Sequence, residues 1–536
     1  MGRSPVEALG GMAATSQPLA TQAALEILRA GGHAVDAAIA AAAVQSVTEP
    51  MSTGLGGDAF VLGYDRETGT LYGLNGSGRA PARADAEALV AAGHRRMPRT
   101  GIHATTVPGT VDTWGTLHAR YGVLPLARIL ESAIRYAEKG FPVAQITAQA
   151  WLGAEAKLRT DPEAARLFLL GGGEGRAPRR GEIHRNADLA RTLRTIAAEG
   201  PRVVYEGEIA RAIAAACDRR GGWIGEADLK AHHSEWVTPL HRSFAGYEVA
   251  ELPPNGQGLF TLEILGILEA MDVGLLGFGS NGEAAVRDGF PVDALHALIE
   301  AIKVAFADRE AYLADPEAGV PTERLLSDDY LGERAAGLRM ARAQEASPMH
   351  RLGGDTVYLC VVDEAGNAVS FIQSLFQGFG AAVGVEGTGI VLQNRGAGFT
   401  LEEGHPNRLK AGRRPRHTII PGMVLREGRP YMPFGVMGGD MQPQGHAQVL
   451  LHHLVGGLDV QAAGEAPRVY FDPDTGDAAL ETGYGGDVRR ELLRRGHRIR
   501  EAVGVFGGYQ AIRIDPGNGV RTGASDPRKD GQAAGY

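Results

Sequence analysis

Cysteine is nearly absent: the 536 residues include two, Cys217 and Cys360, and neither stands in a CxxC or Cys/His metal spacing. That sets aside a disulfide framework and a zinc site, so no metal is expected. Cys360 lies within an alternating apolar run and reads as a small core residue rather than a nucleophile. Basic excess is lacking as well. The net charge of −9 does not favour nonspecific nucleic-acid binding. Nowhere does the chain offer the roughly 18 charge-poor apolar residues of a membrane span. Residues 1–30 contain no apolar run of the signal-peptide kind, which makes the cytoplasm the expected location. A GxSxG elbow and a fixed-period repeat are also missing.

What is present describes a globular protein with a large core: 44% hydrophobic and 22% charged residues. Length alone suggests about two to four domains. Glycine is abundant, with 76 residues, about twice the usual share of ~7%. In a patterned, charged chain this points to tight turns and close backbone approaches.

"SQPLATQAALEILRAGG" reads as a helix beginning near Ser16 and stopped by Gly31 and Gly32. "AVDAAIAAAAVQSVTEP" is a second helix, ended before Pro50, and "AFVLGYDRETGTLYGLNG" is a strand pair around a polar turn. Helical patterns dominate from about Ala104 to Glu310. Strands return at "TVYLCVVD", "NAVSFIQSLF", "GIVLQN", "TIIPGMVLREG" and "GGYQAIRIDP", the last preceded by the helical "VRRELLRRGH". Strand-rich ends around a helical middle suggest sheets sandwiched with helices.

"TGLGGDA" matches the dinucleotide fingerprint formally, as Gly54-x-Gly56-x-x-Ala59. The fingerprint needs a strand before it and a helix after; here the order is reversed, so a tight backbone crossing is the better reading than a nucleotide-dependent oxidoreductase. The basic run "HPNRLKAGRRPRH", from His405 to His417, reads as a solvated loop without aromatic interleaving. The doublets His232-His233 and His452-His453 lack zinc-protease spacing and read as structural or surface histidines.

That leaves "GGDT". Thr356 opens a strand behind two glycines and an aspartate. A threonine hydroxyl is a poor nucleophile unless a base takes its proton. If the preceding bond is cut, the new α-amino group, with a pKa of about 7.7–8.0, can be that base. Thr356 is equally explained as an ordinary strand former.

The surrounding segments carry a resemblance. "GMAATSQPLAT", "GGHAVDAAIAAA", "EPMSTGLGGDAF", "TVPGTVDTW", "ELPPNGQG", "GDTVYLCVVDEAGNAVS", "GTGIVLQN", "PFGVMGGDMQPQGH" and "GASDPRKDG" occur together and in order. The chain resembles the γ-glutamyltransferase (glutathione hydrolase) family of N-terminal-nucleophile hydrolases over nearly its whole length. The resemblance implies a four-layer αββα sandwich, an α/β fold of one composite domain, made as an inactive proenzyme. Self-cleavage between Asp355 and Thr356 is implied, dividing the chain into residues 1–355 and 356–536. The two products are expected to stay together as a heterodimer, with a dimer of heterodimers as the larger alternative. No cofactor is implied, and the partner is a small-molecule amide.

By the same resemblance Thr356 is the nucleophile, Ser374 the supporting hydroxyl in place of the usual threonine, and Gly438 and Gly439 the oxyanion-binding amides. The acyl pocket departs from the family pattern. The carboxylate-binding arginine falls on Ser77, with Arg79 two residues on. An expected asparagine is Phe376. The two residues that hold the α-ammonium become Arg395 and Gly398, and the paired serines become His417 and Thr418. An acyl group ending in a carboxylate without an amine is then expected, gripped by Arg395, as in the glutaryl-amide acylases and oxamate amidohydrolases of this superfamily. Alternatively Arg395 pairs with an internal acid such as Glu402 or Asp440. The segment from Phe399 to Pro415 is shorter than in lidded family members, which favours hydrolysis over transpeptidation. A rival reading is an unprocessed, catalytically silent binding homologue.

Overall fold

Side-chain alternation sets the middle of the molecule. Along the strand Asp355–Val362, Leu359 and Val361 enter one apolar cluster, whereas Tyr358, Cys360 and Val362 enter another. Successive side chains point to opposite faces, so a strand apolar on both must be covered on both. The neighbouring strand Ala368–Phe376 is buried at every position for the same reason.

In the computed structural model, residues 2–279, 288–346, 349–350 and 354–536 are described. Of the "GGDT" stretch, Gly353 lies outside them. One seven-stranded antiparallel sheet runs in the order Gln532–Gly535, Met12–Thr15, Asp355–Val362, Ala368–Phe376, Asp58–Asp65, Thr70–Asn75, Glu235–Val237. A second runs Val6–Ala8, Arg521–Ser525, Gly508–Ile514, Arg429–Met437, Gly422–Arg426, Tyr247–Glu251, Leu240–Phe244. Met12, Phe60, Tyr358, Ile372, Met423 and Ile512 fill the space between the sheets. Helices Pro18–Arg29 and Ala34–Thr48 cover the outside of the first sheet, and Gly258–Ala270 and Met441–Leu450 cover the second. The result is the four-layer αββα sandwich. Segments before and after Thr356 both contribute strands to each sheet, so neither segment has a sheet to itself.

Several local features differ from the sequence reading. The first helix is capped by Gln17 rather than Ser16: the Gln17 side chain accepts from the backbone amides of Leu19 and Ala20. Glu235–Val237, Leu240–Phe244 and Tyr247–Glu251 are strands inside the stretch that reads as helical, because sheet pairing overrides weak local preference. The strand expected from Thr418 begins at Gly422. The basic run is solvated only in part: Arg414, Arg416 and His417 are buried. Arg414 forms a two-pronged pair with Glu235, and Arg416 pairs with Glu310. Phe399, Leu401 and Leu409 of the shortened segment pack against Ala80, Leu89 and Met97.

The glycine-rich "GLGGDA" is a backbone crossing. A Cβ on Gly56 would lie 2.2 Å from the carbonyl oxygen of Val391, and one on Gly57 would lie 2.5 Å from that of Ser374. Cys217 and Cys360 are both buried and free, and burial pushes the Cys217 thiol up to about 12. Among the described residues no helix is long and apolar enough to cross a membrane.

Candidate active site

Pairing of the two central strands places Asp355 opposite Phe376, with an irregularity before Val357. Ser374 is thereby brought under Thr356. The Thr356 Oγ1 hydroxyl donates to Ser374 Oγ at 3.2 Å, and Ser374 Oγ donates at 2.7 Å to the carbonyl oxygen of Asp355. The Phe376 amide donates to the same Ser374 oxygen at 2.8 Å. All the sites of the Ser374 hydroxyl are therefore occupied, which fixes its direction. Phe376 has φ +80°, a strained conformation for an aromatic residue. Gly354 has φ +144°, and a Cβ there would lie 3.2 Å from both Gly439 Cα and the Phe376 carbonyl oxygen. Glycine is required at this position.

Gly354 thus brings Gly438 and Gly439 to the Asp355–Thr356 bond. Their φ values are +123° and +60°, both favouring glycine. Among the described residues, no acceptor is hydrogen-bonded to the amide of either. Gly354, Asp355, Gln377, Gly438 and Asp440 line an open cleft of about 860 Å³.

Beyond Phe376 lies a buried polar cluster. The Arg395 guanidinium sits 4.1 Å from the centroid of the Phe376 ring and is wholly buried. Its Nη1 donates to Thr418 Oγ1 at 2.9 Å, while Nε and Nη2 have no partner among the described residues. These two nitrogens form one edge of the guanidinium, the parallel pair that fits a carboxylate. Arg395 makes no ion pair with Glu402 or Asp440; Asp440 is bound to Arg309 at 2.7 Å. Burial pushes the Arg395 cation down to about 9, offset by the charge of Asp58, so it stays charged at neutral pH.

Asp58, which sequence reading did not assign, accepts from the Gly78 amide, Gln393 Nε2 and His417 Nε2. Burial raises its carboxyl to about 7, against the lowering effect of Arg395. The Ile419 amide donates to His417 Nδ1, which leaves the ring proton on Nε2 facing Asp58. Burial, with Arg395 and Arg414 nearby, holds His417 neutral. Ser77 is buried beside this cluster, bonded to Asn75 and Asn255. Gly398 packs its backbone against Arg416, whose carbonyl oxygen would lie 2.7 Å from a Cβ. Arg79 is not brought to the cluster. It pairs with Glu235 at 2.9 Å and donates to the Gly412 carbonyl.

Sequence reading also missed Gln257 and Glu49. Gln257 Nε2 donates to the carbonyl oxygens of Thr418 and Gly439, and its Oε1 accepts from Arg309. Glu49 accepts from Ser16 at 2.6 Å, and burial raises it to about 7. The available signal was a lone polar residue in an apolar or glycine-rich motif: Asp58 at the head of an apolar strand, Gln257 in "PPNGQG". Elsewhere His296, Glu300 and His497 converge, but the imidazoles bond each other at 2.7 Å and Lys303 already pairs with Glu300.

Comparison with known proteins identifies the family. The family model described as gamma-glutamyltranspeptidase matches residues 20–536. The chain is 38% identical to the glutathione hydrolase-like YwrD proenzyme of Bacillus subtilis, over 96% of this chain and 97% of that protein. It is 37% identical to the oxamate amidohydrolase proenzyme of Klebsiella pneumoniae, over 98% of each. The solved structure of a cephalosporin acylase from Bacillus halodurans superposes with a TM-score of 0.92, at 44% identity, covering 100% of this chain and 97% of that one. The chain therefore belongs to the gamma-glutamyltranspeptidase family and is an enzyme of that family acting on amide bonds.

Proposed function

We propose that this is a self-processing threonine-nucleophile amidohydrolase whose preferred donor is a monoamide of a dicarboxylic acid. In the intact chain, Ser374 donates to the Asp355 carbonyl while accepting from Thr356. Attack by Thr356 Oγ1 on that carbonyl carbon forms a C–O bond; the C–N bond then breaks and the nitrogen takes a proton, leaving an ester. Water hydrolyses the ester, and residues 1–355 and 356–536 remain together as a heterodimer. In turnover the freed α-amino group takes the proton of Oγ1. The acyl group passes to Thr356 and then to water, with the Gly438 and Gly439 amides receiving the oxyanion.

The observation that carries the donor preference is the unpaired Nε/Nη2 edge of buried Arg395. A carboxylate there gains two charge-assisted hydrogen bonds. Among the described residues the acid beside it is Asp58, already held by three donors, so an α-ammonium finds no unoccupied anion there. Asp58 also supports a second reading: a γ-glutamyl donor whose ammonium displaces His417 from it. Hydrolysis of glutaryl and γ-glutamyl anilides decides between the two. We expect at least about a tenfold higher kcat/KM for glutaryl; a preference for γ-glutamyl overturns the donor assignment. A denaturing gel tests processing, since one intact band after long incubation favours a silent homologue.

A further inference from the structure

We infer that Gln257 is a positioning residue that holds the Gly438–Gly439 turn in its oxyanion-binding orientation and keeps it in register with Arg395. This rests on the roles proposed above for those glycines and for Arg395. The Gln257 side chain is fully buried and its amide is used at both ends. Nε2 donates to the carbonyl oxygen of Thr418 at 2.7 Å and to that of Gly439 at 2.9 Å. Oε1 accepts from Arg309 Nη1 at 2.9 Å, and the same nitrogen donates to Asp440 Oδ1 at 2.7 Å.

The orientation of the amide is forced. A guanidinium can only donate, so the amide oxygen must face Arg309 and the amide nitrogen must face the two carbonyls. Such a clamp matters at this place because both glycines have positive φ and no side chain to restrict the turn: the peptide between them is held at the Gly438 carbonyl by the Met441 amide at 3.0 Å, and Gln257 holds the next peptide, at the Gly439 carbonyl. Gly439 is otherwise held at its carbonyl by the Gln442 amide at 3.2 Å. The second arm of Gln257 reaches Thr418, whose hydroxyl takes the Nη1 of Arg395. One side chain therefore ties the group that recognises the far end of the acyl chain to the amides that receive charge at its near end.

Self-cleavage is expected to depend on Gln257 far less. In the intact chain the Asp355 carbonyl takes its hydrogen bond from Ser374, not from the glycine amides. Gln257→Met removes the amide. Gln257→Glu keeps an acceptor for Arg309 and removes both donors. Each variant is measured for self-cleavage on a denaturing gel, for kcat and KM on whichever anilide the wild type cleaves faster, and for competitive inhibition by glutarate. Using the faster substrate separates this test from the donor assignment. Failure of that assignment changes the substrate and not the ratio of variant to wild type.

The expected result is completed self-cleavage, kcat lowered about 10- to 100-fold in both variants, and a glutarate Ki within about threefold of wild type. Gln257→Glu with a kcat within twofold of wild type overturns the inference, because the contact to Arg309 alone then suffices. Loss of self-cleavage and turnover to the same extent also overturns it, as does a loss carried by KM with kcat unchanged.

Discussion

Among the described residues two fully buried arginines lie on aromatic rings, and they differ in what the cation meets. Arg309 sits 3.9 Å from the centroid of Phe306 and is bound to the buried carboxylate of Asp440. Arg395 sits 4.1 Å from the centroid of Phe376 and is bound to a threonine hydroxyl. The first cation is neutralised inside the fold. Among the described residues both keep an Nε/Nη2 edge without a partner; what the second lacks is a carboxylate in contact, and the acid beside it, Asp58, is driven toward protonation by burial. A buried charge without a close partner is costly to the fold. Its retention beside the Thr356 cluster makes sense when a substrate supplies the partner.

The Asp355–Thr356 bond, the proposed point of self-cleavage, bounds this comparison and gives the largest effect. Thr356→Ala is expected to leave a single uncleaved band and to lower hydrolysis by about 10⁴-fold or more; cleavage or activity in that variant places the nucleophile elsewhere. The arginines themselves come next and should separate. Arg309→Met breaks the buried ion pair with Asp440 and should cost about 3–5 kcal/mol in urea denaturation. Arg395→Met breaks no direct ion pair, and Asp58 beside it can take up a proton, so its stability should fall less than that of Arg309→Met, while kcat/KM for a glutaryl anilide falls about 10- to 100-fold. Equal destabilisation by the two substitutions would erase the distinction.

Asp58 gives a smaller, pH-dependent signal. Its carboxyl is raised from 3.8 to about 7 in the folded protein, because burial disfavours the ionised form. The folded state therefore binds the proton more tightly than the unfolded chain. The associated stability is fully present below about pH 4 and is lost as pH rises through 7, by at most about 1.4 kcal/mol per pH unit. Asp58→Asn, which imitates the protonated group, should flatten this decline between pH 5 and 8 in denaturant midpoints; an unchanged slope assigns it to other groups, such as Glu49. The smallest effect belongs to Arg79, whose pair with Glu235 is partly exposed. Arg79→Ala should change stability by no more than about 1 kcal/mol and turnover by less than twofold.

Local chemistry made some of this readable in one dimension. Gly354, just ahead of Asp355-Thr356, and the double glycine of "VMGGDM" announce themselves because close backbone approach and positive φ favour glycine at those positions. The alternating run after Thr356 has the period of a strand and forms one. Arg79 and Arg395 show the limit. Both are arginines in loops near family motifs, yet one meets Glu235 at the surface and the other is sealed against Phe376. The basic run deceived for the same reason, since partners distant in sequence, Glu235 and Glu310, allow Arg414 and Arg416 to be buried.

By itself, then, the sequence determined the strand that carries Thr356, the glycines that must turn beside it and the membership of the family. These follow from steric rules acting within a few residues and from motifs kept in order. Only the tertiary structure decided that Asp58 is the acid facing Arg395, that Asp440 is taken by Arg309, and that Gln257 joins Thr418 to Gly439. Those pairings span 131 to 337 residues of chain. A buried charge or amide takes its partner from whatever the packed layers bring within about 3 Å, and no local pattern encodes that choice.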